Sequence, residues 1–153
     1  MPRISDIEIL CRIEQPAIVV RAGTNVENLP ALIAGSYGKM AAYLKEIGEY
    51  LAYVPYVAYH NMDMRNLDVE MGYPVAKPLP GKGDILPGAI PGGKVVFCMY
   101  RGAYSELGPI YGEMAKWIED NGFAPAGTAY EHYYNGHGFP ESEMLTMVAM
   151  PIA

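Results

Sequence analysis

Long apolar runs, paired cysteines and clustered positive charge are all missing from this chain of 153 residues. No apolar run approaches the roughly 18 residues that a membrane-spanning helix requires. The N-terminus, Met1-Pro2-Arg3-Ile4-Ser5-Asp6, soon meets acids and lacks the apolar core of a signal peptide, so the chain reads as cytoplasmic. Its two cysteines, Cys11 and Cys98, stand singly in strand-like stretches. They read as small buried hydrophobes without the paired spacing of a zinc site. A domain of this length buries about 68–70% of its unfolded surface and needs no disulfide. The 11 Lys and Arg residues are scattered, against 17 acids and a formal charge of −6. Nucleic-acid binding relies on a basic stripe to displace counterions from phosphates, so none is expected here. No metal and no cofactor is expected either. An acidic surface favours cationic ligands at long range.

Phe and Trp are also scarce, at three and one, whereas Tyr reaches 13 and Met 10. Tyrosine offers an apolar face with a polar tip, and methionine adapts its shape. Both suit the walls of a small-molecule site, and both also serve in ordinary cores.

The chain repeats itself. At a shift of 74, Tyr37 meets Tyr111, Gly38 meets Gly112, Met40 meets Met114, Ala41 meets Ala115 and Gly48 meets Gly122. The stripe Ile33, Tyr37, Met40, Leu44, Ile47 has helical spacing, and Leu107, Tyr111, Met114, Ile118 repeats most of it. Strands over 17–22 and 94–101 precede these helices. Gly122 ends the second helix, and Gly48 either ends the first or interrupts it. After the helices, Val57-Ala58-Tyr59-His60 and Thr128-Ala129-Tyr130-Glu131 align at a shift of 71. The closing strands end in Gly72-Tyr73-Pro74 and Ala149-Met150-Pro151.

Each half thus reads strand–helix–strand–strand. The expected fold is α+β, a single domain over 1–153. Repeat one covers about 7–76, a Pro- and Gly-rich connector about 77–93, and repeat two about 94–153. An antiparallel sheet packed on two helices, with a central cleft, follows from joining two such halves.

Three apparent motifs fail. Gly88-Ala89-Ile90-Pro91-Gly92-Gly93-Lys94 has phosphate-loop spacing, but Val95 replaces the magnesium-binding hydroxyl and no helix follows, so it reads as a hairpin turn. Ser36 between glycines does not form a nucleophile elbow. His132 and His137 straddle Asn135-Gly136 and read as solvated loop histidines rather than metal ligands.

One constellation survives. In Gly127-Thr128-Ala129-Tyr130-Glu131-His132-Tyr133-Tyr134, alternation puts Ala129, Glu131 and Tyr133 on one face, with Tyr130, His132 and Tyr134 on the other. Glu131 either lies on a solvated face, pairs with a structural base, or is held in the cleft, where a ligand cation offsets its burial. Glu70 is the other acid in a strand-like run, and its solvated reading is the stronger one. Tyr59 and Tyr100 read equally as core or cleft. Trp117 sits beside the second helical stripe and can border the cleft.

The stretch from Tyr111 to Trp117-Ile118, with Asn121-Gly122-Phe123, Pro125-Ala126-Gly127 and Tyr130-Glu131-His132-Tyr133, resembles the GyrI-like family. That family is the effector-binding domain of bacterial multidrug-responsive regulators. In the first half, Asp68-Val69-Glu70 with Pro74-Val75 matches the corresponding family strand, so the likeness spans nearly the whole chain. The resemblance implies two strand–helix–strand–strand repeats around a drug-binding cleft. Its strand glutamate falls on Glu131, facing lipophilic cations. Many relatives carry a DNA-binding domain ahead of this module. This sequence begins almost at once with its first strand, so sensing through a separate protein partner, or sequestration, is expected over direct transcriptional control. Some free-standing relatives are implied to hydrolyse strained electrophilic compounds, a reaction in which Glu131 would be the general acid or base. The expected ligand-binding set is Glu131, Tyr133, Tyr59, Tyr100, Trp117, Tyr37 and Glu70.

Overall fold

Period-two alternation and helical stripes resolve into eight strands and two helices in a computed structural model, which describes residues 3–136 and 138–153. The order is β1 (Glu8–Arg12), β2 (Gln15–Thr24), α1 (Leu29–Ile47), β3 (Tyr56–Tyr59), β4 (Leu67–Pro74), β5 (Leu86–Ile90), β6 (Gly93–Arg101), α2 (Gly108–Asp120), β7 (Ala129–Tyr133) and β8 (Leu145–Pro151). Short 3-10 turns at Tyr104–Glu106 and Glu141–Glu143 flank α2 and β8. The class is α+β as expected, and among the described residues no helix is long and apolar enough to cross a membrane.

The chain divides into two units. The first holds residues up to Arg12 together with Gly93–Ala153, and the second holds Ile13–Gly92. In the first, antiparallel ladders run in the order β1-β6-β8-β7; in the second, in the order β3-β4-β2-β5. Each unit therefore contains one strand–helix–strand–strand repeat plus one extra edge strand. That edge strand is the arm preceding the other repeat. A shift of 78 carries Glu8, paired with Phe97, onto Leu86, paired with Val19.

This topology corrects one expectation about the connector. β5 pairs with β2 and β6 pairs with β1 and β8, so 88–94 links two strands that do not form a hairpin with each other.

Both helices end where a left-handed glycine turns the chain, Gly48 at φ 72° and Gly122 at φ 78°. Gly48 is therefore a terminator and not an interruption. Around α2 the stripe Leu107, Met114, Ile118 is buried with Ile110, against Val96, Cys98, Tyr100 and Val148. Around α1 the buried line is Ser36, Met40, Tyr43 and Leu44, while Ile47 remains 37% exposed. The expected stripe there was rotated toward its C-terminal end, because Tyr43 turns inward to donate its hydroxyl to the Pro80 carbonyl at 2.6 Å.

The ladders also correct the alignment of the two repeats. Tyr56 pairs with Gly72, and Tyr130 pairs with Ala149. Outside the strands, Leu51 bridges Val75 as Pro125 bridges Ile152. The shift of 74 therefore continues from the helices into β3 and β7, so Tyr56 corresponds to Tyr130 and Val57 to Glu131. The Ala-Tyr identities aligned at 71 are a three-residue slip, and an odd slip exchanges the two faces of a strand.

Candidate functional site

β7 carries the candidate site because its alternation divides a tyrosine-rich strand into two chemically different faces. Glu131 and Tyr133 share one face: the Tyr133 hydroxyl donates to Glu131 Oε1 at 2.7 Å. Tyr111, on the partly buried side of α2, donates its hydroxyl to Glu131 Oε2. Each carboxylate oxygen thus accepts one phenolic hydroxyl, and Glu131 is only 6% exposed. Among the described residues, no Lys, Arg or His lies within ion-pairing distance of this carboxylate.

Burial pushes the Glu131 carboxyl above its usual range, and the two tyrosine hydrogen bonds only partly oppose it. An ionised carboxylate here is desolvated and, among the described residues, served by neutral donors, so a proton or an incoming cation stabilises it. The Tyr104 ring packs on Tyr133 at 5.1 Å between centroids, tilted by 57°. Its own phenol is pushed up by burial and by the charge of Glu131. Tyr104 is 41% exposed, so the aromatic surface around Glu131 reaches solvent. Across the ladder from Tyr133 sits Thr146, fully buried. Its hydroxyl has no hydrogen-bond partner among the described residues.

The opposite face of β7 is a different device. Tyr130 and His132 stack with centroids 6.1 Å apart and planes 11° from parallel. The Arg12 guanidinium lies 5.4 Å from the Tyr130 centroid and meets His132 Nε2 at 2.9 Å. Burial, reinforced by the charge of Arg12, pushes the imidazole down to about 3. His132 is thus a neutral core residue at physiological pH, not a solvated loop histidine. Its expected companion His137 lies outside the described residues.

Of the remaining predicted residues, Tyr100 and Trp117 belong to the same unit as Glu131. Tyr100 is core: it is 1% exposed and donates to the Ala103 carbonyl at 2.5 Å. Trp117 packs against the α2 core and stacks on Phe123 at 6.4 Å. Tyr37, Tyr59 and Glu70 belong to the other unit. There Tyr37 stacks on Tyr73 at 5.2 Å and donates to the Tyr56 carbonyl at 2.6 Å. Tyr59 is half-buried at the end of β3. Glu70 is not solvated; it accepts from the Tyr56 hydroxyl at 2.9 Å and meets His60 Nε2 at 3.0 Å.

Sequence reasoning missed Tyr111, Tyr104 and Thr146. Tyr111 carries a readable signal, since it is the repeat counterpart of Tyr37, a member of the expected ligand-binding set. Tyr104 lies in a short 3-10 turn and Thr146 in an apolar strand, and neither has a local pattern to mark it. The cysteine expectation holds for Cys98, which is buried with its thiol pushed up to about 11. It fails for Cys11, which is exposed on the edge strand β1. No cluster of three or more potential metal ligands exists among the described residues.

A family profile described as a GyrI-like small molecule binding domain matches residues 6–153. The chain belongs to this family. The GyrI-like fold is shared with solved structures at low identity. EcmrR in its DNA complex superposes with a TM-score of 0.84 at 21% identity, covering 96% of this chain and 57% of that one. The chain therefore spans little more than half of EcmrR, whose isolated C-terminal domain it covers at 98% of both chains, TM-score 0.80, 21% identity. A hydrolase from Listeria innocua matches at 0.70 and 14% identity, over 100% of this chain and 94% of that one. SAV2435 bound to tetraphenylphosphonium matches at 0.64 and 10% identity, over 97% and 94%. No curated protein sequence matches significantly.

Proposed function

We propose that this GyrI-like domain binds lipophilic organic cations at Glu131, with Tyr111, Tyr133 and Tyr104 as its aromatic surroundings. The observation that carries the reading is a buried carboxylate whose two oxygens, among the described residues, meet tyrosine hydroxyls and no cation. A lipophilic cation loses little hydration on entering such a place, restores charge balance, and gains about 0.5–2 kcal/mol per cation–π contact with a ring. The orphan Thr146 hydroxyl adds a polar group that a ligand or a water can use. Tetraphenylphosphonium, the ligand of the structural neighbour SAV2435, is the natural probe. In this reading the bound state serves sequestration or signalling to a separate protein.

Charge selectivity tests it. Calorimetry is expected to show tetraphenylphosphonium binding at least 10-fold more tightly than neutral triphenylphosphine oxide. Equal affinity for the two would remove Glu131 from the explanation.

A second reading has its own support in the fold shared with a Listeria innocua hydrolase. A carboxyl raised by burial can take a proton from a water that attacks an electrophile, or give one to the group that leaves it, with a tyrosine hydroxyl assisting. Turnover separates the two: a receptor saturates at one equivalent, whereas a hydrolase continues to consume a strained-ring substrate.

A further inference from the structure

Matching the ladders of the two repeats singles out a second polar residue near Glu131. On β8, Thr146 is flanked by Tyr133 of β7 and Tyr100 of β6. On β4 of the other unit, Val69 is flanked by Tyr59 of β3 and Ala22 of β2. The shift of 74 makes Tyr59 the counterpart of Tyr133, and the shift of 78 makes Ala22 the counterpart of Tyr100. Val69 is therefore the counterpart of Thr146, and both are fully buried. Valine and threonine share a branched shape and differ by the hydroxyl, so the scaffold can fill this place without one. Val57 likewise stands where the candidate site has Glu131. At both positions a buried apolar residue in one repeat answers a buried polar one in the other.

The Thr146 hydroxyl has no hydrogen-bond partner among the described residues, which is destabilising for a buried group. Its flanking tyrosines direct their own hydroxyls elsewhere, Tyr100 to the Ala103 carbonyl and Tyr133 to Glu131. Residues opposite one another in a ladder share a face, so Thr146 lies on the Glu131 face, diagonal to it at about 7–8 Å. The partly exposed Tyr104 packs on Tyr133, which in turn faces Thr146. We propose that Thr146 is a neutral hydrogen-bonding subsite beside Glu131, selecting lipophilic cations that also carry a hydroxyl or carbonyl group; this rests on Glu131 as the cation site. Such a group supplies the partner that the hydroxyl lacks, whereas a purely hydrocarbon cation leaves it unsatisfied.

Calorimetry tests this with tetraphenylphosphonium, which has no hydrogen-bonding group, beside the ortho, meta and para isomers of (hydroxymethylphenyl)triphenylphosphonium. Wild type is expected to bind one isomer about 5-fold more tightly than tetraphenylphosphonium. Thr146→Val, which installs the residue of the other repeat, is expected to abolish that ratio. It is also expected to unfold at the wild-type temperature or above, because the orphan group is gone. Thr146→Ser keeps a hydroxyl and is expected to retain the ratio. Wild-type indifference to all three isomers, a ratio that survives Thr146→Val or is lost in Thr146→Ser, or a Thr146→Val protein less stable than wild type overturns the proposal. If no phosphonium binds wild type at all, the cation site itself falls and the subsite falls with it.

Discussion

Val57 and Glu131 occupy equivalent places in two repeats built on the same plan, and their surroundings have diverged with them. In one unit Tyr37 donates to the carbonyl of Tyr56, beside a fully buried Val57. In the other, the equivalent Tyr111 donates to the side chain of Glu131. Tyr56 lies across Gly72, its ladder partner, and reaches Glu70, which also meets His60. Tyr130 faces Ala149, whose methyl leaves no such space, and stacks beside His132 under Arg12. One repeat thus directs its acid to an imidazole and a phenol. Among the described residues the other holds its acid with neutral hydroxyls alone, and the polar asymmetry rather than the shared scaffold marks the candidate site.

The glycine is where this comparison breaks most severely. A Cβ at position 72 collides with the Tyr56 ring, so Gly72→Ala is expected to cost about 5 kcal/mol or prevent folding. At the matching position, Ala149→Gly costs about 1 kcal/mol, and denaturant unfolding compares the two. Next in size is the pH response of His132. The unfolded imidazole titrates near 6.5 and the folded one at about 3, so only the unfolded chain gains a proton between them. Stability is then complete above 6.5 and falls as pH drops toward 3, by roughly 4–5 kcal/mol. His132→Asn is expected to flatten that slope in unfolding curves taken across the range.

Removing each helix tyrosine hydroxyl sharpens the comparison with smaller effects. Tyr37→Phe is expected to lose about 1 kcal/mol of stability and leave ligand binding unchanged. Tyr111→Phe removes a hydrogen bond that favours the ionised carboxylate, so the pH midpoint for cation binding moves upward. A titration of affinity against pH for both variants reads this difference. The smallest effect belongs to Tyr104→Leu, expected to weaken cation binding about 3-fold because an exposed ring contributes little.

Much of this arrangement was readable in the sequence because periodicity encodes faces. Alternation in β7 assigned Glu131 with Tyr133 and Tyr130 with His132, and the structure keeps both pairs. The helical identities at 74 revealed the repeat. The register of β3 against β7 was not readable, because two Ala-Tyr identities outweighed a ladder that only the folded hairpins define. Burial of Glu70 depends on Tyr56 crossing Gly72, a contact set by pairing between strands rather than by neighbours in sequence. Tyr104 and Thr146 reach the site through a turn and a ladder that leave no local signature.

The central claim is that Glu131 supplies the charge recognition of a cation site, and one titration tests it most directly. Tetraphenylphosphonium is titrated calorimetrically into wild type and Glu131→Gln at several pH values. The account predicts wild-type affinity that rises with pH as the raised carboxyl ionises, and a mutant at least 10-fold weaker whose affinity is independent of pH. Equal affinity in both proteins, or a wild type indifferent to pH through the ionisation of Glu131, would contradict it.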